Sequence, residues 1–263
     1  MPRSQELVLD RLLDLFEVGE YEEAEAGARA LAAAPRRVWG RSPIVVWLAK
    51  AIATAAAGAH GRGTEVLAEL ETLIAVLERT VGAERALLLV VRGNRVAVLV
   101  GQGRYTEAEA EAQDILRAAA RLAHLTEVWR VELSCLKSLA SALCGQGRYE
   151  EAEAIARGNL PRAEGHTAAA LHCVLVRSLN GQGRHEEALA ETRRLTPLWV
   201  RSGSGALGMA TATALHGLGR RGEAEAAARQ ALAACEQFLH PAHPRIQDAR
   251  ALLARTTAEG PLS

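Results

Sequence analysis

The sequence predicts an all-α protein, an α-solenoid of about six stacked helical hairpins followed by a C-terminal capping helix. Three observations carry that prediction. Of the 263 residues 49% are hydrophobic but only 3% aromatic, so the apolar material is mostly Ala, Leu and Val, which suits helices and is poor in the residue mix of sheets. A motif recurs: GQGRYTEAEA from Gly101, GQGRYEEAEA from Gly145, GQGRHEEALA from Gly181 and GLGRRGEAEA from Gly217 align without gaps, and weaker copies surround Gly19 and Gly61. The marker glycine of each copy falls at 19, 61, 103, 147, 183 and 219, giving spacings of 42, 42, 44, 36 and 36, the range of hairpin repeats.

The hairpins are expected at about 5–36, 44–80, 85–122, 128–160, 167–199 and 205–238, as one array across 1–263. In each, a first helix with a helical apolar period precedes the marker, as in Val96, Leu99 and Val100, or Leu136, Leu139, Ala140 and Leu143. The marker then supplies the left-handed backbone that ends this helix. A Glu/Ala-rich second helix follows, with small residues at i and i+4 (Ala108 and Ala112, Ala152 and Ala156, Ala224 and Ala228) that allow close approach. Every Tyr (Tyr21, Tyr105, Tyr149) stands two places after a marker, so a shared structural address explains them better than chemistry does. Breaks are expected at 35–43, 80–84, 161–167, 197–208 and 240–244, with the Arg201-SGSGALG stretch as a hinge. Arg245 to Arg255 reads as an amphipathic helix with Ile246, Ala249, Leu252 and Leu253 on one side, a cap at about 244–256 for the last apolar face.

Gly, Tyr two residues on and Ala five residues on form a pattern that resembles the tetratricopeptide repeat, over six units from about residue 5 to 238. The 42-residue spacing, with the His240-Pro-Ala-His243-Pro segment, is similar to the longer variant of kinesin light chains and bacterial regulators. Arg92 and Gly208 stand where that family has a bulky residue, which predicts irregular or late-starting first helices in repeats three and six. The resemblance implies a right-handed superhelix that binds peptides or protein partners in a concave groove, and it implies no catalysis.

Other functions find little support. Lys+Arg and Asp+Glu number 31 each, which argues against binding nucleic acid or acidic lipid by bulk charge. The basic residues are Arg except for Lys50 and Lys137, a skew that with the Ala excess points to a GC-rich bacterial genome. Residues 1–20 do not read as a secretory signal. The longest apolar runs, 44–59 and 86–100, are interrupted by Lys50, Arg92 and Arg95, so no membrane span and a cytoplasmic location are expected. Cys135, Cys144, Cys173 and Cys235 lack CxxC spacing and read as buried thiols. GxGR lacks the preceding strand and following residues of a phosphate loop and is assigned to turns. His240 and His243, among prolines, read as a connector, and neither metal, cofactor nor catalytic residue is assigned.

The family resemblance places groove-lining positions ten, six and three residues before each marker. These are Leu9, Leu13 and Phe16; Ala51, Ala55 and Gly58; Gly93, Ala97 and Val100; Lys137, Ser141 and Cys144; Cys173, Arg177 and Asn180; Met209, Thr213 and His216. The first three rows are apolar or small, whereas the last three carry Lys137, Arg177, Asn180 and His216. In the first helix Val8, Leu12 and Leu15 suffice for packing, so Leu9, Leu13 and Phe16 form a second stripe that needs covering. Hiding it would supply several kcal/mol at about 25 cal/mol per Å². A partner segment, a second copy or deeper burial are the possible covers. Lys137 and Arg177 are candidates to hold a carboxylate. The leading expectation is therefore a non-enzymatic adaptor or sensor for a protein or peptide segment. The alternatives are a structural component that dimerises through its N-terminal repeat and a ligand-responsive bacterial regulatory protein.

Overall fold

The structure is a computed structural model that describes residues 3–34, 43–80, 84–123, 128–194 and 205–258. Among them are thirteen α-helices and no strand. The first is α1 (Arg3–Val18), followed by α2 (Tyr21–Ala33), α3 (Pro43–His60) and α4 (Gly63–Leu77). Then come α5 (Glu84–Gly101), α6 (Tyr105–Leu122), α7 (Trp129–Gly145) and α8 (Tyr149–Asn159), the last extended by a 3-10 turn at Leu160–Arg162. After α9 (Gly165–Gly181) and α10 (His185–Arg194) the chain finishes with α11 (Ala206–Gly217), α12 (Arg221–Phe238) and α13 (Pro244–Ala258). The fold is an all-α helical repeat. It divides into two compact units, 1–138 and 139–263.

One local device makes each hairpin. At all six markers the glycine has positive φ, from +72° at Gly219 to +116° at Gly61, and no described residue other than glycine does. The N–H of the following residue reaches back to the carbonyl four residues before the marker, 2.9 Å in every case, from Glu20 to Leu15 through Arg220 to Leu215. This six-to-one bond satisfies a carbonyl that the helix end would otherwise orphan. The second helix begins at once, and its small residues are fully buried: Ala24 and Ala28, Ala108 and Ala112, Ala152 and Ala156, Ala224 and Ala228.

In the first unit one core cluster joins α1, α2 and α3 through Leu9, Leu12, Leu31, Val45 and Ile52. A second joins α3, α4 and α5 through Val66, Leu70, Leu77, Leu87 and Val91. In the second unit Ile246 and Ala249 of α13 pack on Cys235 and Leu239, with Met209 alongside, so the last helix covers the last hairpin.

Three expectations change. The third repeat's first helix is regular from Glu84 on, because Arg92 has left the core for an ion pair with Glu111 of α6 at 3.3 Å. The hinge expected at 201–208 lies partly outside the described residues. From Gly205 on it is close-packed: a Cβ there would meet the Cys235 sulfur at 2.3 Å and the Ala231 carbonyl oxygen at 2.5 Å, and one at Gly208 the Ala231 methyl at 2.9 Å. Finally, Pro43–His60 is, by length and composition alone, apolar enough to cross a membrane despite Lys50. Half of that window is buried inside the fold, against α2, α4 and α5.

Candidate functional site

The marker turns do not offer a phosphate loop, since the amides of each glycine and the residue after it are spent on the preceding helix. They carry a surface pattern instead. Arg104, Arg148, Arg184 and Arg220, each directly after a marker, grip the Glu three residues on (Glu107, Glu151, Glu187, Glu223) with N···O distances of 2.6–2.8 Å. The Glu side chains lie in the first turn of the second helix, where its dipole favours negative charge. Each hydrogen bond to its arginine holds the carboxyl below its ordinary value.

One of these arginines, Arg184, also joins successive hairpins. Glu153 of α8 accepts from Gln182 at 2.7 Å, Arg184 at 2.8 Å and Arg157 at 2.7 Å. Burial would raise its carboxyl, but these donors outweigh it and hold it low. The first unit repeats the arrangement at the same register: Glu25 of α2 takes Arg29 at 2.7 Å and Arg62 from the next turn. Arg29 goes on to fork onto Glu69 of α4 at 3.0 and 3.1 Å. The paired Glu and Arg stand six and one residues after successive markers, so this interlock was present in the sequence as a second period.

The positions proposed to line a groove separate into open and closed ones. Leu9 is a correction: at 7% exposure it is a core residue, since α1 packs on α2 and α3 through it as well as Leu12. Phe16 sits edge-on to the Tyr21 ring at 5.4 Å, and Leu13 remains open at 47%. The exposed apolar side chains that the stripe missed are Leu7 at 69% and Val18 at 53%. Ala97 is exposed, and Ala55, Gly58, Gly93 and Val100 are half-buried, whereas Ala51 is closed and its carbonyl accepts from Asn94 Nδ2 at 2.9 Å.

Burial lowers the Lys137 ammonium, with Glu17 of α1 as the main opposing influence. In the second unit Arg177 is exposed, and Ser141, Met209 and Thr213 are half-buried. Cys144 is closed and lies 3.1 Å from Ser178 Oγ. Thr213 turns its hydroxyl back onto the Met209 carbonyl at 2.9 Å. Asn180 is committed: its amide nitrogen donates to the Ala210 carbonyl at 2.8 Å, and its oxygen lies 3.1 Å from His185 Nδ1. It therefore braces α9 against α11 rather than presenting a free amide. The buried His216 Nδ1 has no hydrogen-bond partner among the described residues.

The thiols are not poised as nucleophiles. Burial pushes Cys135 up to about 12 and Cys173 up to about 11, and raises Cys144 and Cys235 as well. No group of three His, Cys, Asp or Glu is placed to hold a metal among the described residues. His240 and His243 each accept a backbone N–H from two residues on, Ala242 at 3.3 Å and Arg245 at 3.0 Å, so the HxxH spacing shapes the turn into α13.

A family profile described as a tetratricopeptide repeat matches residues 133–164, within the hairpin of α7 and α8. No curated protein matches the chain in sequence. Among solved structures, a Rap protein complexed with Competence and Sporulation Factor shares the fold with a TM-score of 0.66. The likeness covers 97% of this chain and 77% of that one at 14% identity. A tetratricopeptide repeat protein from Parabacteroides merdae ATCC 43184 aligns over 97% of this chain and 99% of its own, with a TM-score of 0.44 and 13% identity. One hairpin thus matches the tetratricopeptide repeat in sequence, and the same glycine geometry recurs at the other five markers of this all-α helical repeat.

Proposed function

We propose that this protein is a non-enzymatic adaptor or sensor that captures a segment of a protein partner on the face formed by the first helices of its hairpins. The observation that carries this reading is the helical-repeat fold shared with a Rap protein complexed with Competence and Sporulation Factor. The open positions support it: Leu13, Ala97 and Val100 are apolar and accessible to differing degrees, while Ser141, Arg177 and Thr213 add polar groups further along. Apolar side chains of a segment would suit the open positions of the first unit, and polar or anionic groups those of the second. Photo-crosslinking from Ala97 and Ser141, with mass spectrometry of the products, should place a partner on these positions. Leu13→Asp and Arg177→Glu should weaken that capture, and a partner indifferent to both changes would overturn the reading.

Exposed Leu7 and Val18 favour a second reading, in which α1 meets α1 of another copy. They stand eleven residues apart, three helical turns, on the side of α1 opposite Leu12. Light scattering across a concentration series would then show a dimer that Leu7→Glu with Val18→Glu dissociates. A monomer at all concentrations removes this reading and leaves the first intact.

A further inference from the structure

Helix α3 of the first unit packs against both α2 and α4, and residues of all three helices line a cavity of about 430 Å3, within the range of about 300–1,000 Å3 usual for small-molecule sites. Its apolar lining comes from Ala32 of α2, Trp47 and Ala53 of α3, and Leu73 and Val76 of α4. Trp47 is half-buried and Val76 is 42% exposed. The positions assigned to a groove on α3 (Ala51, Ala55 and Gly58) are not part of this lining, so the cavity belongs to a different surface. Its polar groups are already in use, with one exception. Thr54 turns its hydroxyl onto the Lys50 and Ala51 carbonyls at 2.9 and 3.1 Å, and Thr72 onto that of Ala68 at 2.8 Å. Arg29 holds Glu25 through Nε at 2.7 Å and both oxygens of Glu69 through its terminal nitrogens. The Lys50 ammonium has no partner among the described residues. The repeat explains why. Lys50 stands eleven residues before its marker, where the next hairpin has Arg92, and Glu69 stands eight after, where the next hairpin has Glu111. Arg92 and Glu111 pair at 3.3 Å, whereas Arg29 takes the carboxylate that would have answered Lys50. One cation without a counterion is left beside an apolar space.

We propose that this cavity binds a small aromatic carboxylic acid, its ring lying along Trp47 among Ala32, Ala53 and Leu73 and its carboxylate accepting charge-assisted hydrogen bonds from Lys50. The indole and the two alanines suit a flat apolar body, and the carboxylate supplies the one charge that the lining lacks. Glu69 does not repel it, because the Arg29 fork neutralises that side chain. The site is separate from the capture of a protein segment and does not depend on it.

The test uses the full chain and three probes: naphthalene-1-acetate, its neutral amide, and acetate. The Trp47 indole Nε1–Hε1 resonance, assigned by its loss in Trp47→Phe, is followed by NMR. It should shift and saturate with the aromatic acid, require about tenfold more of the amide, and stay still with acetate. Lys50→Gln, at an exposed position, should weaken the acid by about tenfold and leave the amide unchanged, the effect of losing one charge-assisted contact. Val76→Glu should also weaken the acid, by setting a like charge beside its carboxylate. The absence of a saturable Trp47 shift would overturn the proposal, and so would equal affinities for acid and amide or an acid that binds Lys50→Gln undiminished. Acetate binding as tightly as the aromatic acid would overturn it too, since the cavity would then contribute nothing. Each of these results leaves segment capture untouched.

Discussion

Glycine does three different jobs in this chain, and replacing it by alanine should separate them. At Gly183 φ is +75° and nothing lies within 4 Å of a would-be Cβ, so Gly183→Ala should cost about 1 kcal/mol of backbone strain alone. At Gly205 the positive φ coincides with the Ala231 carbonyl and Cys235 sulfur, so Gly205→Ala should lower the urea midpoint at least twice as far. Gly93 sits inside α5 with open space around it, and Gly93→Ala should stabilise by about 0.5–1 kcal/mol through helix propensity. Any other order of the three midpoints contradicts these assignments. His172 gives a pH dependence with a definite sign. Burial holds its imidazole below the usual value, against Glu191 and aided by Arg194, and its buried Nδ1 has no partner among the described residues. The unfolded chain therefore binds more protons than the folded one as pH falls through the ordinary histidine value. The stability contributed is complete above about pH 6.5 and is lost below it. Between pH 7 and 5 the native chain should lose more stability than His172→Gln, and equal slopes would show that His172 is not responsible.

At the level of helices, pairing across hairpins separates contacts that hold the array from those that decorate it. Glu153 is largely enclosed and takes three donors from two hairpins, so Glu153→Gln should cost about 1–2 kcal/mol, the usual worth of charged hydrogen bonds in a partly open site. Glu187 pairs with Arg184 in full solvent, and Glu187→Gln should leave the denaturation midpoint unchanged. Equal losses in both would mean that the inter-hairpin contact does no more than the exposed one. The sequence made some of this legible and hid the rest. Marker glycines and Ala pairs could be read directly, because a left-handed turn and a close helix contact each demand a residue type at a fixed offset. The Glu153–Arg184 interlock needs the approach of the next hairpin, which no single-helix period encodes, although the paired offsets were visible. Leu9 was misplaced because a quarter-turn on α1 separates core from surface when two neighbouring helices, α2 and α3, embrace it. Asn180 has the composition of a binding residue, and only the position of the Ala210 carbonyl shows that its amide is already used.

Within each unit, helices pack chiefly on their sequence neighbours or the next hairpin's equivalent, as α11 does on α9, α10, α12 and α13. A repeat protein of this kind gains stability from hairpins and their nearest interfaces, so damage should stay local. Ile246 is fully buried on α13 against Cys235 and Leu239, far along the chain from the cluster around Leu70 in the first unit. Ile246→Ala removes buried methyl groups and should cost about 2–4 kcal/mol at the capping interface. Native-state hydrogen exchange should then show faster exchange in α11, α12 and α13, with the amides of α3, α4 and α5 keeping their protection. Leu70→Ala should produce the reverse pattern, loosening α3 to α5 and sparing α13. A uniform loss of protection from either change would mean that the two units unfold as one cooperative body, and the nearest-neighbour account of this chain would fail.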